Sequence, residues 1–417
     1  MIAIAKKLKS SLTTAHLFMV SVLLVNGGNY AYNLLLGRFL GPEKFADAAV
    51  LVTFLLVLSF VAMTFQLVTA KFSVLFEATV FKAFAASMYK KSVLTGIFLG
   101  FLIVLFASEL QTFFKTSSSL MFVVFGLGIP LYFIMSVNRG IFQGKQQLVS
   151  LSVTYQAEMI SRLVITLALL YFLQIDAALI ISLGIIASFC CGLIPFDFKN
   201  ISWKSATVLN RKQGKLVRNF FIITAFYELT QIIINNSDIL LVKHYFESYD
   251  AGLYASLALI GRVVYFIAWM FVMLLLPTVV KLQKEGKSTV PILLKYVTYI
   301  AGIAAVIIIG CVLFPTQIVT ILFGESYLAI TPLLWKYALA TGIFALSNIF
   351  AYYYLSLDKY IPVVLSGLFG MLQVLLVVFF HENLAQVVHV QIVAMVLLLM
   401  VQLSFFFFEN RNRALRF

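Results

Sequence analysis

Charge is the scarcest ingredient of this sequence. Asp, Glu, Lys and Arg supply 11% of its 417 residues, 62% are hydrophobic, and the mean hydropathy is +1.04. Soluble proteins are about 25% charged and about 45–50% apolar, and no water-soluble fold hides this much apolar surface. The scarcity excludes a soluble enzyme or binding module and points to a polytopic membrane protein. Cysteine is nearly absent too. Cys190, Cys191 and Cys311 lie inside apolar runs, with neither metal-ligand spacing nor a disulfide framework. His16, His244, His381 and His389 are scattered, so no metal cluster and no Ser/His/Asp set can be assembled. A glycine-rich phosphate loop is missing, which excludes nucleotide hydrolysis by this chain and implies no cofactor. Long hydrophilic loops are missing as well. The longest connections, 71–91, 197–218 and 314–331, are too short for a separate globular domain.

What is present is a series of apolar stretches. A membrane span takes about 20 mostly apolar residues. Twelve stretches fit, centred in 12–36, 46–70, 92–108, 118–138, 148–173, 177–196, 219–242, 252–280, 290–313, 332–355, 361–380 and 387–408. The first follows Lys6, Lys7 and Lys9 but is too long for the apolar core of a signal peptide, and it reads as an uncleaved span. Phe72, Leu75, Phe76, Phe84 and Met88 alternate with lysines at near-helical spacing, which predicts an interfacial helix over 71–91.

The chain holds 30 Lys and Arg against 16 Asp and Glu, a net charge of +14. In a soluble chain such an excess suggests nucleic acid; in a membrane chain it reports topology. With twelve spans and the N-terminus inside, Arg38, Lys44, Lys115, Lys243 and Lys336 fall outside, while most other basic residues fall inside. Both termini are therefore expected in the cytoplasm. The basic segment 199–218 divides two six-span lobes, 1–198 and 219–417. Six is even, so the repeat is expected to be parallel, about an axis along the membrane normal.

Polar residues inside the spans carry the functional reading. Asn26, Asn29 and Asn33, at i, i+3 and i+7, share a face of span one. Glu228, Gln231, Asn235 and Asp238 form a corresponding stripe on span seven, which reads as a cavity wall. Glu158 and Arg162 stand at i,i+4 in span five, either neutralising each other or leaving Arg162 to face an anion tuned by Glu158. Arg262 in span eight has no acidic neighbour on its own helix. Its partner is a carboxylate of span seven, a phosphate-type anion or a lipid headgroup, and a guanidinium grips phosphates in bidentate fashion. Glu158, Glu228 and Asp238 are the candidates for exchanging a proton or Na⁺ with solvent.

Three short motifs give these features a family setting. Leu36-Gly37-Arg38-Phe39-Leu40-Gly41-Pro42-Glu43-Lys44-Phe45 follows span one, Asp250-Ala251-Gly252-Leu253-Tyr254 follows span seven, and Leu322-Phe323-Gly324-Glu325-Ser326-Tyr327 precedes span ten. In their order and spacing they resemble the polysaccharide flippases, the O-antigen and capsule repeat-unit branch of the multidrug/oligosaccharidyl-lipid/polysaccharide exporter superfamily. Ala46-Asp47 departs from the glycine usual after the aromatic.

The resemblance implies an all-α fold of twelve transmembrane helices in two pseudo-symmetric six-helix lobes around a central cleft. It also implies a transporter rather than an enzyme, in the bacterial inner membrane. Its cargo would be a polyprenyl-pyrophosphate-linked oligosaccharide, flipped by alternating access, with membrane lipids and a polysaccharide polymerase and glycosyltransferases as partners and no nucleic acid. On that reading Asn26, Asn29, Asn33, Gln231 and Asn235 would meet sugar hydroxyls. Arg162 or Arg262 would hold the pyrophosphate, and Arg139 with Lys145 would gather it at the cytoplasmic mouth. A cation-coupled multidrug antiporter of the same fold is the alternative, with Glu158, Glu228 and Asp238 supplying an acidic cavity. A membrane-embedded glycan polymerase, ligase or acyltransferase fits less well, because the largest external stretch, 314–331, offers only Glu325 as an acid.

Overall fold

Apolar side chains with no polar partner for the backbone leave a membrane-embedded chain one economical choice, the helix, whose hydrogen bonds are all internal. The computed structural model describes residues 2–196, 209–357 and 359–414. Residues 199–208 of the basic segment, and Asp358, lie outside them. Among the described residues every regular element is helical.

The first helix, α1 (Ile2–Leu75), is broken at Gly41, where φ is 73°, a conformation glycine adopts at little cost. Its apolar part, Leu17–Leu75, is 59 residues long. At 1.5 Å per residue that is about 90 Å, enough for two crossings of a core about 30 Å thick. Then follow α2 (Ala78–Leu105), α3 (Ala107–Phe114), α4 (Leu120–Gly144), α5 (Leu148–Phe172), α6 (Ala177–Gly192) and α7 (Arg211–Tyr245). The second half has α8 (Ser248–Gly261), α9 (Val263–Lys284), α10 (Val290–Leu313), α11 (Pro315–Leu322), α12 (Thr331–Ser356), α13 (Ile361–Phe379) and α14 (Leu384–Ala414). Ten described helices are long and apolar enough to cross a membrane. Counting α1 twice and adding the shorter apolar α6 recovers the twelve stretches read from the sequence, with α8 and α9 sharing the eighth. The two halves also repeat in outline: a long helix, an eight-residue helix, then a long helix occurs as α2–α3–α4 and again as α10–α11–α12, where a 3₁₀ helix, Glu325–Ile330, precedes α12.

One local expectation fails. Residues 71–91 do not form a separate interfacial helix; they are the end of α1 and the first half of α2. Phe72, Phe84 and Met88 are buried in protein. Helical apolar spacing defines a face but does not say whether lipid or a neighbouring helix covers it.

The chain forms two compact units. One comprises residues 1–36 and 50–229, the other 37–49 and 230–417. In the first, α2 packs along α4 and α4 along α6. The α2–α4 contact is close because Gly100 and Gly126 face each other backbone to backbone, the small-residue packing typical of membrane helices. In the second, α12 is central, against α9, α10 and α14.

Candidate functional site

The first unit encloses a charged triad. Arg139 enters from α4, Glu158 and Arg162 from α5. Glu158 Oε2 lies 2.7 Å from Arg139 Nη2, and its Oε1 accepts from Arg162 Nη2. Thr154 fixes Arg139 further: Nε donates to its Oγ1 at 3.1 Å and Nη2 to its carbonyl at 2.9 Å. The guanidinium also lies 4.2 Å from the centre of the Tyr155 ring. Arg162 Nε donates to Ser188 Oγ on α6 at 3.3 Å. Two guanidinium groups share one carboxylate, so the cluster carries one positive charge in excess within a largely apolar bundle. Such a site favours an anion.

Sequence spacing found the Glu158–Arg162 pair but placed Arg139 at the mouth beside Lys145. Arg139 is buried with the triad, whereas Lys145 stays exposed at the end of α4, 4.8 Å from the Phe81 ring centre. The signal was available: Arg139 is followed by apolar Ile141 and Phe142, so the helix continues past it. On α1, Asn26 is exposed and Asn29 and Asn33 are half-buried; Asn33 Nδ2 donates to the Asn29 carbonyl at 2.9 Å.

The second unit holds an independent network around Asp238. Arg262 Nη2 meets Asp238 Oδ1 at 2.7 Å. Oδ2 accepts from Tyr337 at 2.7 Å, Tyr254 at 3.0 Å and Gln391 Nε2 at 3.0 Å. Arg262 sits where α8 gives way to α9, and the Gly261 carbonyl at that break accepts from Thr341 Oγ1 at 2.7 Å. A cavity of about 30 Å³ adjoins this network, lined in part by Asn235, Thr341 and Gln373. It has room for water and not for a sugar. Elsewhere on the stripe, Asn235 Nδ2 donates to the Gln231 carbonyl at 2.8 Å, and Gln231 is buried. Glu228 is half-buried with no ion pair among the described residues. Asp238 thus supplies the span-seven carboxylate that was one of the three partners open to Arg262.

The three sequence motifs meet in this second unit. A Cβ on Gly252 would stand 1.8 Å from the Pro42 carbonyl oxygen, so backbones touch there. Tyr327 donates to the Gly37 carbonyl at 2.7 Å, and Arg38 Nη1 to the Ile321 carbonyl at 2.7 Å. Phe45 packs edge-on against Tyr327 and tilted against Phe323. Asp47, in the Ala46-Asp47 pair that departs from the motif, forms an ion pair with Lys243.

Comparison with known proteins now becomes informative. Residues 35–332, which include all three motifs, match the family model described as polysaccharide biosynthesis protein. The chain belongs to that family. No functionally curated protein matches the sequence. Among solved structures, an inward-facing multidrug resistance MATE transporter of the MOP superfamily is similar at TM-score 0.75 and 13% identity, covering 93% of this chain and 94% of that one. The lipid II flippase MurJ in an inward closed conformation gives TM-score 0.74 and 15% identity, over 93% and 87%. The MATE multidrug transporter DinF-BH gives 0.62 and 16%, over 97% and 96%. At these identities the likeness establishes the fold, the multi-pass helical fold these structures share.

Proposed function

We propose that this family member flips a polyprenyl-pyrophosphate-linked oligosaccharide repeat unit from the cytoplasmic to the outer leaflet of the bacterial inner membrane, for surface polysaccharide biosynthesis. The observation that carries the reading is the excess positive charge of Arg139 and Arg162 around Glu158. A pyrophosphate is the part of such a cargo that needs charge neutralised in the membrane, and paired guanidinium groups suit it. Asn26, Asn29 and Asn33 on α1 supply amide donors and acceptors for sugar hydroxyls. Lys145 attracts the anion from the cytoplasm, where both termini lie. The polymerase and glycosyltransferases of the same polysaccharide are the expected partners. Arg262 contributes less than the sequence suggests, because Asp238 already engages it.

A cation-coupled multidrug antiporter of the same fold is favoured by the similarity to MATE structures. It needs carboxylates free to meet a cation. Glu158 and Asp238 are both held by arginines, which leaves Glu228 as the group for that role.

A strain lacking this gene tests both readings. Lipid-linked oligosaccharide, measured by mass spectrometry of extracted lipids, should accumulate while surface polymer disappears. Arg139→Ala and Arg162→Ala combined with Glu158→Gln, which leaves no unpaired buried charge, should reproduce this phenotype at normal protein levels. Unchanged lipid-linked glycan in the deletion strain, together with lost resistance to cationic dyes, would establish the antiporter instead.

A further inference from the structure

The end of α1 and the start of α7 create a surface that the transport reading does not use. Lys71, Val74 and Leu75 stand at i, i+3 and i+4 and share a face of α1. Lys212, Leu216 and Phe220 follow at successive intervals of four on α7 and also share a face. The two faces meet: Lys71 Nζ lies 3.7 Å from the centre of the Phe220 ring. Phe220 is backed by Phe72, with ring centres 6.1 Å apart and edge-on. Beside the ammonium groups, apolar side chains stay uncovered, Val74 at 69% exposure, Leu75 at 58% and Leu216 at 55%. Every Lys and Arg of 71–91 and 209–220 is exposed, and the one acid described there is Glu77.

Topology accounts for the number of positive charges at this end of the bundle. It does not account for an ammonium held over a ring beside exposed aliphatic side chains. A cationic rim above an apolar face is the pattern of a lipid interface. We propose that Lys71, Val74 and Leu75 together with Lys212, Leu216 and Phe220 bind an acidic glycerophospholipid, its phosphate attracted by the exposed ammonium groups and its acyl chains along the aliphatic residues.

The chemistry selects a resident lipid over the cargo. Both ammonium groups are solvent-exposed, so their attraction is screened and modest. A weak site fills only with an abundant ligand, and bulk acidic phospholipid is abundant where a biosynthetic intermediate is scarce.

Native mass spectrometry of the delipidated full-length protein in a non-ionic detergent tests the proposal. The protein is titrated with phosphatidylglycerol, phosphatidylcholine or polyprenyl pyrophosphate. Phosphatidylglycerol should bind about fivefold to tenfold more tightly than phosphatidylcholine. Lys71→Gln with Lys212→Gln should abolish that preference, and Phe220→Leu should weaken it about threefold. Lys90→Gln with Lys91→Gln, which removes the same charge from α2, should leave it intact. Equal binding of the two phospholipids, or a preference that survives Lys71→Gln/Lys212→Gln, overturns the proposal. Polyprenyl pyrophosphate displacing phosphatidylglycerol at equal concentration assigns the surface to the cargo and overturns it too.

Discussion

Lys243 Nζ lies 2.9 Å from Asp47 Oδ1 with both side chains buried, joining residues far apart in the chain within one compact unit. Lys243 also donates to Ser248 Oγ at 2.7 Å. A buried pair is costly to break from one side, because the survivor keeps its charge without its counterion. Asp47→Leu or Lys243→Met should each destabilise the protein by about 3–5 kcal/mol. The Asp47→Leu/Lys243→Met double variant should lose less than either single one. Thermal unfolding of the four proteins in detergent measures the coupling, and additive losses would show that the pair contributes nothing as a pair.

The Gly252–Pro42 contact leaves no space for a methyl group. Gly252→Ala places a Cβ 1.8 Å from a backbone oxygen and should cost at least about 1–3 kcal/mol, with lower expression. Gly302→Ala in α10 is the matched control, since nothing lies within 4 Å of its Cβ position. It should be neutral or stabilising by about 0.5–1 kcal/mol, because alanine is the better helix former. Parallel unfolding curves decide whether close approach, rather than any loss of glycine, is responsible.

Asp238 anchors three donors and a guanidinium, so its partners should matter unequally. Tyr337→Phe or Tyr254→Phe removes one of three donors on Oδ2 and should cost about 1–2 kcal/mol. Asp238→Asn strips Arg262 of its counterion and should cost about 3–5 kcal/mol. Adding Arg262→Met to Asp238→Asn should recover part of that loss. Chemical or thermal denaturation ranks the variants, and equal effects of Tyr337→Phe and Asp238→Asn would contradict the assignment.

Glu158 separates stability from ligand affinity. Glu158→Gln leaves Arg139 and Arg162 without their shared carboxylate and should lower stability by about 3–5 kcal/mol. The same change raises the excess positive charge, so inorganic pyrophosphate should protect Glu158→Gln against unfolding more than it protects the parent. Pyrophosphate-dependent melting shifts read this directly. Identical shifts in the two proteins would remove the triad from anion binding.

Much of this protein was settled by sequence alone. Twelve apolar stretches set the number of crossings, because the bilayer fixes both length and polarity. Spacing within one helix found the Glu158–Arg162 pair and the asparagine face of span one, because 3.6 residues per turn fixes which side chains are neighbours. The three motifs marked the family without revealing that Pro42 touches Gly252 or that Tyr327 bonds to Gly37. Periodicity says which face of a helix is apolar and is silent about which helix meets it. Tertiary structure alone therefore drew Arg139 into the triad, gave Arg262 to Asp238 and attached 37–49 to the second unit. Each of those outcomes depends on packing between helices, and a buried charge takes whichever partner that packing brings within reach.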